Sequence, residues 1–376
     1  MTSLRAFRRS RIGGFSLLIV LFLAACHRPE IPLKPYLALV ADRGSESVAV
    51  VNLASFARVR TIPLGFAPAR LAVRPGGRDV YVASETGQVA IIHFPGLRVS
   101  AQIECGQGSV DLCFSPRGGY AYALASPGKI IQVIDCQRQK IIRKIDLAVP
   151  VERIALTPDG RTLLAEDSAN SRLLFVDPQT GRARADIALG KQPGPFVVLP
   201  NGLKAYVADA GERTVTVVDI AAHRVLSNIE LAAPPILLAL KPDGGEIFAF
   251  SGADSTLTIL DANTDSVEQD LPTGNRPVAA VFRRDSSTLY VANAGDGTVT
   301  TLDVNNRVVT ASTRVGIEPT SLALSPDERF LAVTDLAGAS LSILRTRTSA
   351  LLTSIPAGIR PVDVVIPNWQ ASGAGR

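Results

Sequence analysis

Histidine and cysteine are the residue types best suited to metal, redox or nucleophilic chemistry, and this chain contains few of them. The three histidines are His27, His93 and His223. A zinc site or a heme axial pair needs His or Cys ligands that converge, and no Gly-x-Ser-x-Gly motif marks a nucleophile. The sequence therefore predicts no metal site, no cofactor and no catalytic residue, and it leaves open whether the chain is an enzyme.

The cysteines likewise give little indication of metal or redox chemistry. Beyond Cys26, the chain has Cys105, Cys113 and Cys136, an odd set for an oxidising compartment. Cys113 stands where equivalent segments carry alanine, which is typical of a small buried thiol. We expect free buried thiols, and a disulfide from Cys105 to Cys113 or to Cys136 is the alternative.

A set of charged and polar residues is the better candidate for ligand binding. Each lies just before, or shortly after, the start of an equivalent strand in an internal repeat. These candidate rim residues are Arg360, Asp363, Arg70, Asp111, Arg153, Gln192, Arg276 and Glu318. Four arginines could bind a carboxylate or phosphate through bidentate contacts. Three acids alternate with them, so the other interpretation is a rim of hydrated ion pairs that neutralise one another.

The elements that would position this rim follow from the repeat itself. Equivalent strands begin near residues 39, 81, 122, 164, 206, 248, 290 and 331, a period of about 42 residues. Each unit alternates short runs rich in β-branched residues with turns such as Pro158-Asp159-Gly160. Four short antiparallel strands per unit are typical of a propeller blade. The sequence predicts an all-β propeller of eight blades, with seven as the alternative.

Ring closure is predicted from the phase of the repeat. The chain enters at a second strand, residues 36–42, and ends with an unpaired inner strand, residues 360–367. Pairing these two segments would complete the first blade. The rim residues would then surround one mouth of the central channel.

The repeat motif resembles that of a known family. Tyr290-Val291-Ala292-Asn293, followed by residues 298–303 and 319–327, is similar to the YVTN β-propeller repeat, and residues 206–209 and 81–84 are further copies. The resemblance covers about residues 37–368 and implies an extracytoplasmic bacterial or archaeal propeller. It implies no shared ligand, because the motif residues build blades.

An aspartate closes the third strand of several units and could be mistaken for an acidic array. The members are Asp135, Asp177, Asp219, Asp261 and Asp303. Their neighbours are turn residues, so we expect each carboxylate to cap backbone N–H groups.

The first segment is predicted to be a targeting signal and not part of the folded domain. Four arginines precede an apolar stretch, residues 12–25, which is short for a spanning helix and typical of a signal peptide. Leu23-Ala24-Ala25-Cys26 resembles the bacterial lipobox, which implies a diacylglyceryl group on Cys26. His27, rather than Asp, follows, as in outer-membrane sorting. The predicted division is signal peptide 1–25, lipidated cysteine and tether 26–36, propeller 37–368 and flexible tail 369–376.

The overall charge does not favour nucleic acid as a partner. The chain carries a formal charge of +5, but the four arginines before residue 12 leave 35 basic against 34 acidic groups. No Lys/Arg run appears that could neutralise a phosphate backbone. The sequence predicts a membrane partner through Cys26 and a protein or small anionic ligand at the propeller mouth.

These observations lead to three functional hypotheses. The first is a non-catalytic, lipid-anchored scaffold in the cell envelope, periplasmic and held at the outer membrane. The second is a lactonase-like hydrolase acting at the channel mouth. The third is a heme- or cofactor-binding carrier, implied by a resemblance in blade number to the eight-bladed heme-binding domain of bacterial dissimilatory nitrite reductase and disfavoured by the lack of a rim histidine.

Overall fold

The computed structural model describes residues 36–252 and 254–369 of the chain. Contacts divide the chain into two units, Met1–Leu33 and Lys34–Arg376, and all the described residues belong to the second. The predicted signal peptide and Cys26 therefore lie outside the described residues. In the described part, no helix is long and apolar enough to cross a membrane.

The described residues form 32 strands arranged in eight four-stranded antiparallel sheets. In blades 1 and 2 the strands are β1 (Leu37–Asp42), β2 (Ser47–Asn52), β3 (Ala57–Pro63), β4 (Pro68–Val73), β5 (Asp79–Ser84), β6 (Gln88–His93) and β7 (Arg98–Glu104). Blades 3 and 4 contain β8 (Ser109–Phe114), β9 (Tyr120–Ser126), β10 (Gly128–Asp135), β11 (Lys140–Val151), β12 (Arg153–Leu156), β13 (Leu163–Asp167), β14 (Arg172–Val176) and β15 (Ala183–Ala188).

The second half of the ring repeats this pattern. Blades 5 and 6 contain β16 (Pro193–Val198), β17 (Lys204–Asp209), β18 (Thr214–Asp219), β19 (Arg224–Glu230), β20 (Pro235–Leu240), β21 (Glu246–Ser251), β22 (Thr256–Asp261) and β23 (Ser266–Pro272). Blades 7 and 8 contain β24 (Pro277–Phe282), β25 (Thr288–Asn293), β26 (Thr298–Asp303), β27 (Val308–Arg314), β28 (Pro319–Leu324), β29 (Phe330–Asp335), β30 (Ser340–Arg345) and β31 (Ala350–Pro356).

The last strand, β32 (Pro361–Val365), completes blade 1. It pairs antiparallel with β1, with Leu39 opposite Val365 and Ala41 opposite Asp363. The sheet order is therefore β3-β2-β1-β32. Both the prediction of eight blades and the prediction of closure by the C-terminal strand are confirmed.

The core lies between adjacent blades, because each sheet buries both faces of its two middle strands. The second and third strands are almost continuously buried, whereas the fourth strand exposes most of its residues. Tyr81, Tyr206 and Tyr290 are fully buried in second strands. The Tyr206 hydroxyl donates to the carbonyl oxygen of Ala262 in the next blade, at 3.2 Å. The Tyr290 hydroxyl donates in the same way to the Thr346 carbonyl oxygen, so in blades 5 and 7 the Tyr of the repeat motif binds the next blade.

The propeller has two faces that differ in their connections. The crossover face carries the segments that join one blade to the next and the second strand to the third. The turn face carries the turns between first and second strands and between third and fourth strands. Tyr36 and Trp369 both lie on the turn face, where Trp369 stacks on Phe94 with ring centroids 4.7 Å apart. Trp369 is the first residue of the predicted tail, residues 369–376, and the other residues of that tail lie outside the described part.

The repeated aspartates cap turns, as predicted. The Asp177 carboxylate accepts from the backbone N–H groups of Gln179 and Thr180, at 2.8 and 2.9 Å. These bonds, with a contact to the Arg184 guanidinium, lower the pKa of Asp177 to about 2. The members in blades 3, 5, 6 and 7 accept similar bonds.

The three described cysteines are free thiols, and burial raises the pKa of Cys105 to about 12.

Candidate functional site

A cavity of about 470 Å³ opens at the crossover-face mouth of the channel. We call it the mouth cavity. Its lining comes from the starts of the inner strands β4, β8, β12 and β16, and it includes Arg70, Asp111, Glu152, Arg153 and Phe196. Of the eight candidate rim residues, the cavity thus brings together Arg70, Asp111 and Arg153.

Arg70 and Asp111 form an ion pair at this mouth. The Arg70 Nη1 atom lies 3.2 Å from Asp111 Oδ1, and the Arg70 side chain is 64% exposed while that of Asp111 is 17% exposed. Asp111 also accepts from the backbone N–H of Ile154 in blade 4, at 2.8 Å. Asp111 is therefore fixed between two blades, whereas Arg70 keeps most of its donors available to solvent or to a ligand.

Asp363 makes an equivalent bridge where the ring closes. Its carboxylate accepts from the Leu71 backbone N–H at 2.7 Å and from the Ser321 hydroxyl at 2.6 Å. It thereby joins blades 2 and 8 through blade 1. Burial raises the pKa of Asp363. Asp363 is better described as a residue that holds the ring together than as a ligand contact.

Arg153 is positioned by a buried acid that the sequence did not single out. Arg153 Nη1 lies 3.0 Å from Glu166 Oε2, and the Glu166 side chain is 0% exposed. The two residues are opposite one another on β12 and β13. Burial raises the pKa of Glu166, and the Arg153 guanidinium opposes that shift. Arg153 itself remains 44% exposed toward the cavity.

The course of the chain between blades 3 and 4 explains why this part of the mouth differs from the other blade junctions. At five of the other seven junctions a loop ending in Gly-x-x-Pro joins the blades, but here β11 runs on to Val151 and only Glu152 separates it from β12. Glu152 accepts from the Ser168 backbone N–H at 2.8 Å. The continuous strand thus places Glu152 and Arg153 side by side at the mouth.

The remaining rim residues lie outside the cavity lining. Arg276 pairs with Glu318, with Nη2 and Oε1 2.6 Å apart. Gln192 and Arg276 have φ of 51° and 54° and use their carbonyl oxygens to accept from neighbouring loops. The Arg360 backbone N–H donates to Asp42 at 2.9 Å. The rim is thus one cluster of blades 2–4 and a set of separate loop contacts.

The inner strands give the channel mouth two unlike sides. On blades 2 to 4 the residue at the cavity is Arg70, Asp111 or Arg153. On blades 5 to 7 the third residue of the inner strand is Pro195, Leu237 or Ala279. The mouth therefore offers guanidinium groups on one side and apolar groups on the other, a pattern suited to a ligand that is both apolar and anionic.

The cavity lining offers donors for carboxylates but no ligand for iron. Among the described residues that line it, none is His, Met, Cys or Tyr, which are the usual axial ligands of heme iron. His93 lies on the turn face, where its Nδ1 atom is 2.7 Å from Asp79 Oδ1, and His223 lies in another turn there. In the described residues, no group of three or more His, Cys, Asp or Glu could hold a metal.

Comparison with known proteins points to heme-related propellers. Residues 243–371 match the family model described as the Cytochrome D1 heme domain, about a third of the chain. That stretch does not include Arg70 or Arg153. No curated protein sequence matches the chain significantly.

Solved structures share the fold at low sequence identity. Dihydro-heme d1 dehydrogenase NirN in complex with DHE is 16% identical, with a TM-score of 0.75 over 90% of this chain and 76% of that one. Apo AztD from Citrobacter koseri is 15% identical, with a TM-score of 0.69 over 88% of this chain and 97% of that one. Hydrazine synthase from Kuenenia stuttgartiensis is 19% identical, with a TM-score of 0.54 over 68% and 88%.

These comparisons correct the leading functional hypothesis. The expectation of a non-catalytic interaction scaffold is contradicted, because the family model that matches is a heme domain and one of the similar propellers is a heme d1 enzyme. The third hypothesis, a heme- or cofactor-binding propeller, is the one they favour. At the level of family, the chain is a β-propeller.

Proposed function

We propose that this propeller binds an anionic tetrapyrrole in the mouth cavity, with the ligand's carboxylates on Arg70 and Arg153. The observation that carries the proposal is the pair of half-exposed arginines beside one cavity, each held from behind by an acid. The family match to a heme domain supports the class of ligand.

The arginines are prepared for such a ligand before it arrives. Asp111 and Glu166 hold one side of each guanidinium, so less side-chain freedom is lost on binding. The planar fork of each arginine matches a carboxylate bidentately. Pro195 and Phe196, across the cavity, supply apolar surface for a macrocycle. A bound heme would supply redox chemistry, but these residues would only hold and orient it.

The proposal predicts how the affinity depends on charge. Titration with heme and with metal-free protoporphyrin should give saturable absorbance changes of similar affinity, because the cavity lining offers no iron ligand. Changing both Arg70 and Arg153 to Ala should weaken binding by about 100-fold, since bonds to charged groups contribute about 1.5–3 kcal/mol each. Arg172→Ala is the matched control, because Arg172 pairs with Asp186 on an exposed outer strand.

Three outcomes would contradict this site. One is an unchanged affinity in the double variant. Another is equal binding of the porphyrin dimethyl ester, which lacks the free carboxylates. The third is binding of the iron form alone, which would place the ligand elsewhere, near a side chain able to coordinate iron.

We also propose that the chain is a lipoprotein of the YVTN propeller type, anchored through Cys26 and located in the periplasm at the outer membrane. The support is the Leu23-Ala24-Ala25-Cys26 sequence after an apolar stretch, together with Tyr-Val-Ala-Asp and Tyr-Val-Ala-Asn segments on β17 and β25. Mass spectrometry of the mature protein from bacterial membranes should find a diacylglyceryl group on Cys26. Cys26→Ser should release the protein into the soluble fraction, and membrane retention of an unmodified Cys26 would refute the anchor.

A further inference from the structure

The propeller has a net charge close to zero, but its basic and acidic residues are distributed unequally between its two faces. The segments of the crossover face contain eight basic and thirteen acidic residues, counted from strand end to strand start. The turns of blades 2 to 4 on the opposite face contain eight basic and four acidic residues, and those of blades 5 to 8 contain nine of each. The positive excess is therefore local to one part of the turn face.

The exposed basic residues of those turns define a surface that we call the basic patch. They are Arg78, Arg98, Arg117, Arg138, Lys140, Arg161 and Arg182. In the same turns, Asp79 is buried and Asp159 is the exposed acid. The turns touch one another: Arg74 Nε donates to the Gly118 carbonyl oxygen at 2.7 Å, which joins blade 2 to blade 3. The Arg143 guanidinium likewise donates to the Pro178 carbonyl oxygen, which joins blade 3 to blade 4, so the turns that carry the patch are in contact from blade 2 to blade 4.

The point of chain entry supplies the second observation. Tyr36 leads into β1 on the turn face, in blade 1, beside blade 2. Nine residues, 27–35, separate it from Cys26, and a chain of nine residues spans at most about 30 Å. An acyl group on Cys26 would therefore keep a bilayer within reach of this face.

From these observations we propose that the basic patch lies against an anionic lipid surface, so that the mouth cavity faces away from the membrane. This inference rests on the lipid anchor proposed above and not on tetrapyrrole binding. Each Lys or Arg near an anionic bilayer contributes about 1 kcal/mol, or about fivefold, to the attraction. The acidic crossover face would be repelled by the same surface.

The single tryptophan of the chain allows a direct test. Trp369 lies on the turn face against Phe94, so energy transfer from it to dansyl-labelled lipid headgroups reports the approach of this face. The full lipidated chain would be reconstituted on vesicles of phosphatidylcholine alone and on vesicles that also contain phosphatidylglycerol. Transfer should be stronger on the anionic vesicles and should fall at high salt.

Charge-reversal variants separate this patch from the rest of the face. Changing Arg98, Arg117 and Arg182 to Glu should lower the ratio of docked to undocked protein by at least 100-fold and abolish the gain on anionic vesicles. The matched control changes Arg224, Arg284 and Arg347 to Glu, which are exposed basic residues on the turn face of blades 5, 7 and 8. The control should keep most of the gain. Circular dichroism spectra and melting temperatures, measured for both variants, check that they are folded without relying on tetrapyrrole binding.

Several results would overturn the inference. Equal transfer on neutral and anionic vesicles would do so, as would an unchanged signal in the patch variant. If the patch variant instead loses retention on an acidic protein or a nucleic acid, while transfer stays equal on both vesicles, the patch serves that partner. A chain that attaches to neither kind of vesicle would contradict the anchor as well.

Discussion

Asp209 is a carboxyl group that folding makes harder to ionise. It ends β17 with no exposed surface, and burial raises its pKa from 3.8 to about 6 although the Thr216 hydroxyl donates to it. The folded state therefore holds a proton where the unfolded chain has lost it. Its contribution to stability falls as the pH rises from about 4 to about 6 and stays low above that range.

Blade 7 shows a way to remove this cost. Asn293 stands at the equivalent strand end, and its Nδ2 donates to Thr300 Oγ1 at 2.8 Å. We predict that Asp209→Asn raises the free energy of unfolding at about pH 7.5 by on the order of 2 kcal/mol, since each unit of pKa shift corresponds to about 1.4 kcal/mol. At about pH 4 the variant and the parent protein should be alike. Urea denaturation at the two pH values measures both quantities.

Asp177 provides a control of opposite sign. Its folded pKa is lowered to about 2 by the backbone N–H groups of its turn and by Arg184, so its stabilisation is present above about pH 4 and is lost as the pH falls toward 2. Asp177→Asn should therefore lower stability near neutral pH. The same sign of change in both variants would contradict the burial argument.

Glu166 is a functional-site residue that the sequence could have pointed to, because it departs from the repeat. In the repeat it occupies the place of Ala83, Ala208 and Ala292, and that departure was present in the sequence alone. Because a buried acid behind an arginine depends on the pairing of β12 with β13, its role could be assigned only once the register was known. The sequence predicted which charged side chains would lie at the mouth, but it did not predict which residues they would pair with.

At the scale of elements, the crossover segments depend on a glycine and an acid together. Asp335 ends β29 and accepts from the backbone N–H groups of Ile317 and Glu318. A Cβ on Gly316 would lie 2.0 Å from Asp335 Oδ2, whereas a Cβ on Gly65, whose blade has Ser84 in place of the acid, would meet nothing within 4 Å. The glycine makes room for the carboxylate that caps the loop.

We predict that Gly316→Ala lowers the free energy of unfolding by about 1–3 kcal/mol, the usual effect of forcing extra atoms into a packed site. Gly194→Ala is the matched control, because its added Cβ would be 3.6 Å from the nearest atom, in ordinary contact. Thermal unfolding monitored by circular dichroism compares them. Equal melting temperatures in the two variants would show that the carboxylate can move aside without loss.

The positions of the strands could be predicted from the periodicity of the sequence, but the length of one strand, β11, could not. The alternation of β-branched runs and Pro-Asp-Gly turns was sufficient for the strands, since these patterns reflect local chemistry. β11 extends over twelve residues through Pro150, which a local pattern does not favour. That extension places Glu152 and Arg153, so the candidate site lies where the repeat is least regular.

At the scale of the whole molecule, the sequence predicted the ring but not its polarity. Eight repeats and an unpaired last strand determine the closure, because a free sheet edge must find a partner. The total charge beyond residue 25 is close to zero, and composition cannot show that acids exceed bases on the crossover face while bases exceed acids in the turns of blades 2 to 4. Only the direction of each strand assigns a turn to a face.

The pairing of β32 with β1 also limits when the protein can fold. The innermost strand of blade 1 is the last of the described strands to be synthesised, and it stands more than 300 residues from its partner in the chain. A nascent chain therefore cannot close its ring until β32 has left the ribosome. Until then blade 1 lacks its inner strand and the edge of β1 is open to other chains. For the export proposed above, this late closure would keep the chain unfolded while it passes through a secretion channel.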